Sequence, residues 1–138
     1  MCLAGASGAG AELMSALPGA DLRVYFVWVP MLPADSSAAA EAASRRFAEP
    51  RAAHYWDSGR HLATHMGRAL RISAQDSIAV GSGASGLAWD LYLAFRRGNV
   101  VTESPDFWMH QLAVKHAPRL EPTEWRRRIE AMLGDGGV

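Results

Sequence analysis

The chain has one cysteine in 138 residues, no apolar run long enough to span a bilayer, and no excess of either charge. Each shortage removes a class of protein. A single thiol cannot close an internal disulfide, so a disulfide framework is excluded. A membrane-spanning helix needs roughly 20 apolar residues, and no stretch approaches that, so no membrane association is expected. Lysine plus arginine number 14 and so do aspartate plus glutamate. That balance offers no broad electrostatic footprint, and nucleic acid is not expected as a partner. No basic region precedes the first apolar stretch, and Gly5, Gly8 and Gly10 interrupt it. It makes a poor signal peptide. As written, the chain is expected in the cytoplasm, or outside it if the true start lies upstream.

Several catalytic signatures are missing too. No Ser/His/Asp or paired-carboxylate arrangement is recognisable along the chain. The Gly81–Gly86 run lacks the lysine and hydroxyl residue of a P-loop, and an expected strand follows it where a helix is required. Gly5, Gly8 and Gly10 do not match the dinucleotide pattern, and no cofactor is expected.

What is present is globular composition, 49% hydrophobic and 20% charged, sufficient for one domain over residues 1–134 with a loose tail at 135–138. Leu3 to Leu17 reads as a helix stopped by Pro18-Gly19, its glycines weakening the first turns. Leu22 to Val29 is rich in β-branched and aromatic residues, without strict polar alternation. It reads as a strand covered on both faces. Asp35 or Ser36 caps a second helix ending near Phe47. His54 to Trp56 is a minor strand, and Asp57 or Ser58 caps a third helix burying Leu62, Met66, Ala69 and Leu70. A loop over 73–86 leads to a strand from Leu87 to Phe95, with Asp90 an awkward polar insertion. Arg96 to Asn99 turns the chain, and Val100 to Thr102 returns as hairpin partner. Pro122 opens the final helix, Trp125, Ile129, Met132 and Leu133 form its apolar stripe, and Gly134 closes it. Its basic run, Arg126 to Arg128, lies between Glu124 and Glu130 and reads as a solvated face. The fold class is therefore α/β, a mixed sheet with helices on both faces.

Cys2 directly before a helix, a returning apolar strand, the segment Trp56-Asp57-Ser58-Gly59-Arg60-His61-Leu62-Ala63 closing with Gly67, and a late hairpin before a terminal helix carry a resemblance. The chain resembles the thioredoxin-like superfamily, in its thiol–disulfide reductase and peroxiredoxin-like branch. The resemblance covers most of residues 2–133 and implies an N-terminally abbreviated thioredoxin-like sheet. Cys2 would be the catalytic residue, the resolving half of a Cys-x-x-Cys pair. The attacking cysteine and first strand would precede Met1, and the usual cis-proline is replaced around Ala88-Trp89-Asp90. In such a sheet the missing strand is central. Either Leu22–Val29 closes directly onto Leu87–Phe95, or the chain is a fragment whose upstream reading frame supplies the strand and cysteine. The implied partner is a protein thiol or disulfide. As written, the site is incomplete and no redox turnover is expected.

Two other readings stand beside it. Trp89, Asp90, Trp108, Tyr55 and Pro30 would line a substrate groove, and a non-catalytic module would use it to bind a protein or small apolar ligand. Core packing is the simpler account of the tryptophans. His61 and His65, four apart on one helix, would bind a metal with Cys2, or with His54 or Asp57 as third ligand. Surface histidines are the plainer explanation of that pair. Asp90 should have a partner in Arg23, His110 or a backbone amide, because an unpaired buried carboxylate is costly.

Overall fold

Small residues at the head of the chain do form a helix, and its glycines are explained by what lies against them. The structure is a computed structural model, and it describes residues 3–72, 86–99, 104–111 and 117–134. Leu3–Ala6 (α1) and Glu12–Ala16 (α2) are joined by a π-helical turn, Ser7–Ala11, and Ala6 and Ala11 keep right-handed helical dihedrals. A π turn holds an extra residue, so it rotates the helix faces on either side of it. Ala6 and Met14, with Leu3 and Ala11, share a buried cluster with Phe26 and Trp28. Ala9 and Leu13, with Leu17, share another with Ala94, Met109, Trp125 and Ile129. A β-carbon on Gly10 would stand 2.5 Å from Phe26 Cζ, and one on Gly5 would overlap the Tyr92 hydroxyl and the Gln111 side chain. The glycines admit neighbours that alanine would exclude.

Val24–Trp28 (β1) is shorter than the eight-residue strand expected, because Leu22 N bonds back to Ala20 O in a turn. It pairs in parallel with Ala52–Trp56 (β2), Val24 opposite Ala52 and Trp28 opposite Trp56. Between them runs Ser37–Ser44 (α3), ending in a 3-10 turn at Arg45–Phe47. Ser36 is the cap, its Oγ accepting from Ala39 N at 3.2 Å. Ala40, Ala43 and Phe47 cover the Phe26–Trp28 side of the sheet.

β2 is a full partner strand, anchored by His54. Its ring lies 4.7 Å from the Phe26 ring. Nδ1 accepts from Trp28 Nε1 at 3.3 Å and Nε2 faces Phe47 O at 3.4 Å. With Nδ1 accepting, the proton belongs on Nε2, so both ring nitrogens are engaged.

His61–Ala69 (α4) follows, with Ala63, Met66, Gly67 and Leu70 buried and Leu62 and Ala69 half-buried. Ala88 N bonds Ala63 O at 2.9 Å, bringing the chain after Gly86 onto α4. Leu91–Ala94 (β3) is only the central part of the strand expected over Leu87–Phe95. The chain enters it through Asp90, whose φ of 52° breaks extended geometry. The expected hairpin partner, Val100–Thr102, lies outside the described residues. Among the described residues β3 pairs with Phe107–His110 (β4), antiparallel, Leu91 opposite His110 and Ala94 opposite Phe107. Asp106 sets this pairing, its carboxylate accepting from Arg96 N at 2.8 Å and Asn99 Nδ2 at 2.7 Å.

Pro122–Gly134 (α5) is the long terminal helix, and Trp125 Nε1 donates to Ala9 O at 2.9 Å in the interior. The basic run on its outer face is paired as expected, Arg127 and Arg128 with Glu124 and Arg126 with Glu130. The result is a mixed α/β arrangement. In place of one continuous sheet, the described residues form two two-stranded sheets, β1–β2 and β3–β4. Direct closure of the first strand onto the third is not seen among them. Residues 73–85 of the loop expected over 73–86, and the tail at 135–138, lie outside the described residues.

Candidate functional site

Cys2 lies outside the described residues, so the site is built from what surrounds the start of α1. Gly5 there faces β3 and β4, where Tyr92 Oη donates to Gln111 Oε1 at 2.6 Å. Two residues before Tyr92, Asp90 turns the chain in the left-handed region, which aspartate tolerates better than most residues. Its main-chain oxygen accepts from Gln111 N at 2.9 Å, holding the bend against β4. Burial raises the Asp90 carboxyl above its ordinary value, while the charge of His110 pulls the other way. Of the three partners expected for Asp90, His110 is the side chain that acts on it.

His110 is 3% exposed, the one buried polar side chain among the described residues. Its main chain is bonded on both sides, N to Pro118 O and O to Leu120 N. A half-buried carboxyl in the field of an enclosed imidazole keeps its proton to higher pH than a free one. Tyr92 and Gln111 add a phenol and a carboxamide on the same strand pair. Sequence reading missed these two, because apolar strand patterning masks a tyrosine and nothing local brings residue 111 to residue 92.

The five groove residues fall into two groups. Trp89 and Asp90 lead into β3, and Trp108 sits on β4 opposite Leu93. The Trp89 indole N–H is buried with no acceptor among the described residues. Trp108 lines a cleft with Ala69, Leu70, Arg71, Ser104 and Pro105. Tyr55 belongs to the other sheet, where it is 55% exposed and its ring lies 6.3 Å from that of Tyr25. Pro30 follows β1, two residues beyond its end.

Two of the side chains considered as a third metal ligand have other contacts in the structure. His54 is held in the aromatic stack by both nitrogens. Asp57 is committed as the α4 cap, its carboxylate accepting from His61, Leu62 and Ala63 N–H at 2.8, 2.9 and 3.3 Å. His61 and His65 are exposed on one helix, and among the described residues no group of three metal-ligating side chains forms. Also among the described residues, no helix is long and apolar enough to cross a membrane. No protein-family model matches the chain, and neither the curated proteins nor the solved structures contain a match to it.

Proposed function

We propose that the chain is a thioredoxin-like protein related to the thiol–disulfide oxidoreductases, with Cys2 as the resolving half of an incomplete or degenerate Cys-x-x-Cys site. One observation carries the reading. A helix, a parallel strand–helix–strand unit, another helix, an antiparallel pair and a terminal helix follow in thioredoxin-like order, and the first helix packs against both sheets. Among the described residues β1 and β3 each pair with one strand. An upstream strand would join the two sheets into one.

In the completed site the upstream thiolate attacks a substrate disulfide, displacing one substrate thiolate. Cys2 thiolate then attacks the mixed disulfide, closes the protein disulfide and releases the second substrate thiolate. The substrate gains the two electrons that the cysteines lose. Cys2 alone can enter a mixed disulfide but cannot resolve it internally.

The test is insulin disulfide reduction, with dithiothreitol as the electron donor that re-reduces the protein disulfide, by the upstream-extended protein, its Cys2→Ser variant and the chain as written. Turnover is expected only for the unsubstituted extended protein, while the chain as written accepts one glutathione and stops. An extended protein without an upstream cysteine, or turnover that survives Cys2→Ser, refutes the proposal. A non-catalytic binding module is the second reading, favoured by the aromatic-floored cleft at Trp108.

A further inference from the structure

Arg71 stands where α4 stops. Arg71 N bonds Arg68 O at 3.1 Å and Ile72 N bonds Gly67 O at 2.9 Å. This pair of bonds is the Schellman closure, which places the residue between helix and exit in left-handed backbone. Arg71 has φ 54° there, at a position where glycine is the less strained residue. The closure is made by main chain alone, so the arginine side chain is not needed for it. Among the described residues no ion pair engages its guanidinium.

Arg71 lines the open cleft introduced above, which measures about 380 Å³ and is shared with Ala69, Leu70, Ser104, Pro105 and Trp108. That volume falls within the usual range for small-molecule sites. Leu70 is buried and Trp108 half-buried, so the floor is apolar and partly aromatic. The rim carries a planar cation and a hydroxyl. A guanidinium matches a carboxylate with two parallel hydrogen bonds, and an indole face suits a flat apolar body. The negative end of α4 opposes an anion, but the Schellman bonds satisfy two of its last carbonyls and Arg68 adds a second cation in the last turn.

We propose that this cleft binds a small carboxylate bearing a flat apolar ring, the carboxylate against Arg71 and Ser104 and the ring against Trp108 and Leu70. The site stands on its own geometry and does not depend on the redox reading. Phenylacetate is the probe, titrated into the full chain and followed by amide NMR shifts. Saturable shifts are expected at Leu70, Arg71 and Trp108. Uncharged 2-phenylacetamide and ring-free inorganic phosphate should each bind more weakly. Arg71→Asn, which tolerates the left-handed backbone, should weaken phenylacetate by about threefold to fivefold and leave 2-phenylacetamide unchanged. Arg71→Gly serves as a second charge-removing variant should the asparagine disturb folding. Shifts that do not saturate or that map elsewhere overturn the proposal. So does equal affinity for the acid and its amide, or for phosphate, or affinity unchanged in the charge-removing variants.

Discussion

Asp57 shows how much one side chain can organise. The sequence places it before α4 as a cap, yet Arg60, with φ 56°, holds the position directly before the helix and contributes no side-chain cap. Asp57 reaches forward to three amides from a turn whose Arg60 N bonds Asp57 O. Asp57→Ala should therefore lower stability by about 1 to 2 kcal/mol, visible in urea unfolding, and Asp57→Asn should retain part of that. A loss of a few tenths would mean that water replaces the carboxylate. Asp90 behaves differently. Its carboxyl is raised from the ordinary 3.8 by burial, so the folded chain binds its proton more tightly than the unfolded chain does. Stability associated with Asp90 therefore falls as pH rises from about 3.8 through the raised value. Asp90→Asn should be more stable than the parent at pH 7, with the advantage fading toward pH 3.5. A difference independent of pH would contradict this. Glu124 has the opposite sign, lowered to about 2 by its hydrogen bonds with Arg127 and Arg128. Its small contribution is complete above pH 4.5 and is lost as pH falls toward 2.

Elements were legible where periodicity or capping chemistry is local, and less so where a partner decides the boundary. Trp125 and Ile129 are buried on α5 as their spacing requires, and Ser36 caps α3 as its position before the alanines suggests. β4 is not legible from its own residues, because Phe107–His110 becomes a strand by pairing with β3 and being bracketed by Asp106. The end of α2 is likewise finished from a distance. Arg51 Nη1 and Nη2 donate to Leu17 O at 2.7 Å and Met14 O at 2.8 Å, while Nε pairs with Glu49 at 2.9 Å. All three groups are partly shielded, and Glu49 Oε2 is already buried without a partner. Arg51→Ala strands two carbonyls and a carboxylate, so a loss of about 2 to 4 kcal/mol is expected by thermal or urea unfolding. Arg51→Lys should recover less than half of it, since an ammonium cannot present the planar fork. Full rescue by lysine would show that charge alone is required.

At the scale of the whole molecule, the first helix is the joint. Its successive residues Leu13 and Met14 enter different clusters, Leu13 on the β3–β4 side and Met14 on the β1–β2 side. Both are nearly inaccessible, at 4% and 2% exposed. Leu13→Ala and Met14→Ala should each cost about 2 to 5 kcal/mol. Because one helix serves both sheets, each variant should lower the unfolding midpoint of both together, with far-ultraviolet dichroism and tryptophan fluorescence changing in one transition. Separate transitions would show that the sheets fold as independent units. Trp125 reinforces the joint from α5 by donating to Ala9 O within the π turn.

The sequence by itself determined the α/β character, the helix caps, the apolar stripe of α5 and the absence of a disulfide framework. These follow from local spacing, side-chain chemistry and a count of one thiol. Tertiary structure decided that Phe107–His110 is the partner of β3, that the described strands divide into two sheets, and that Gly5 and Gly10 are sites of contact. It also placed His54 in an aromatic stack and Asp57 on the α4 amides, and set Arg71 beside Trp108. Each of these depends on residues distant in the chain approaching one another, and a neighbour's hydrogen bond or excluded volume cannot be read from the residue it constrains.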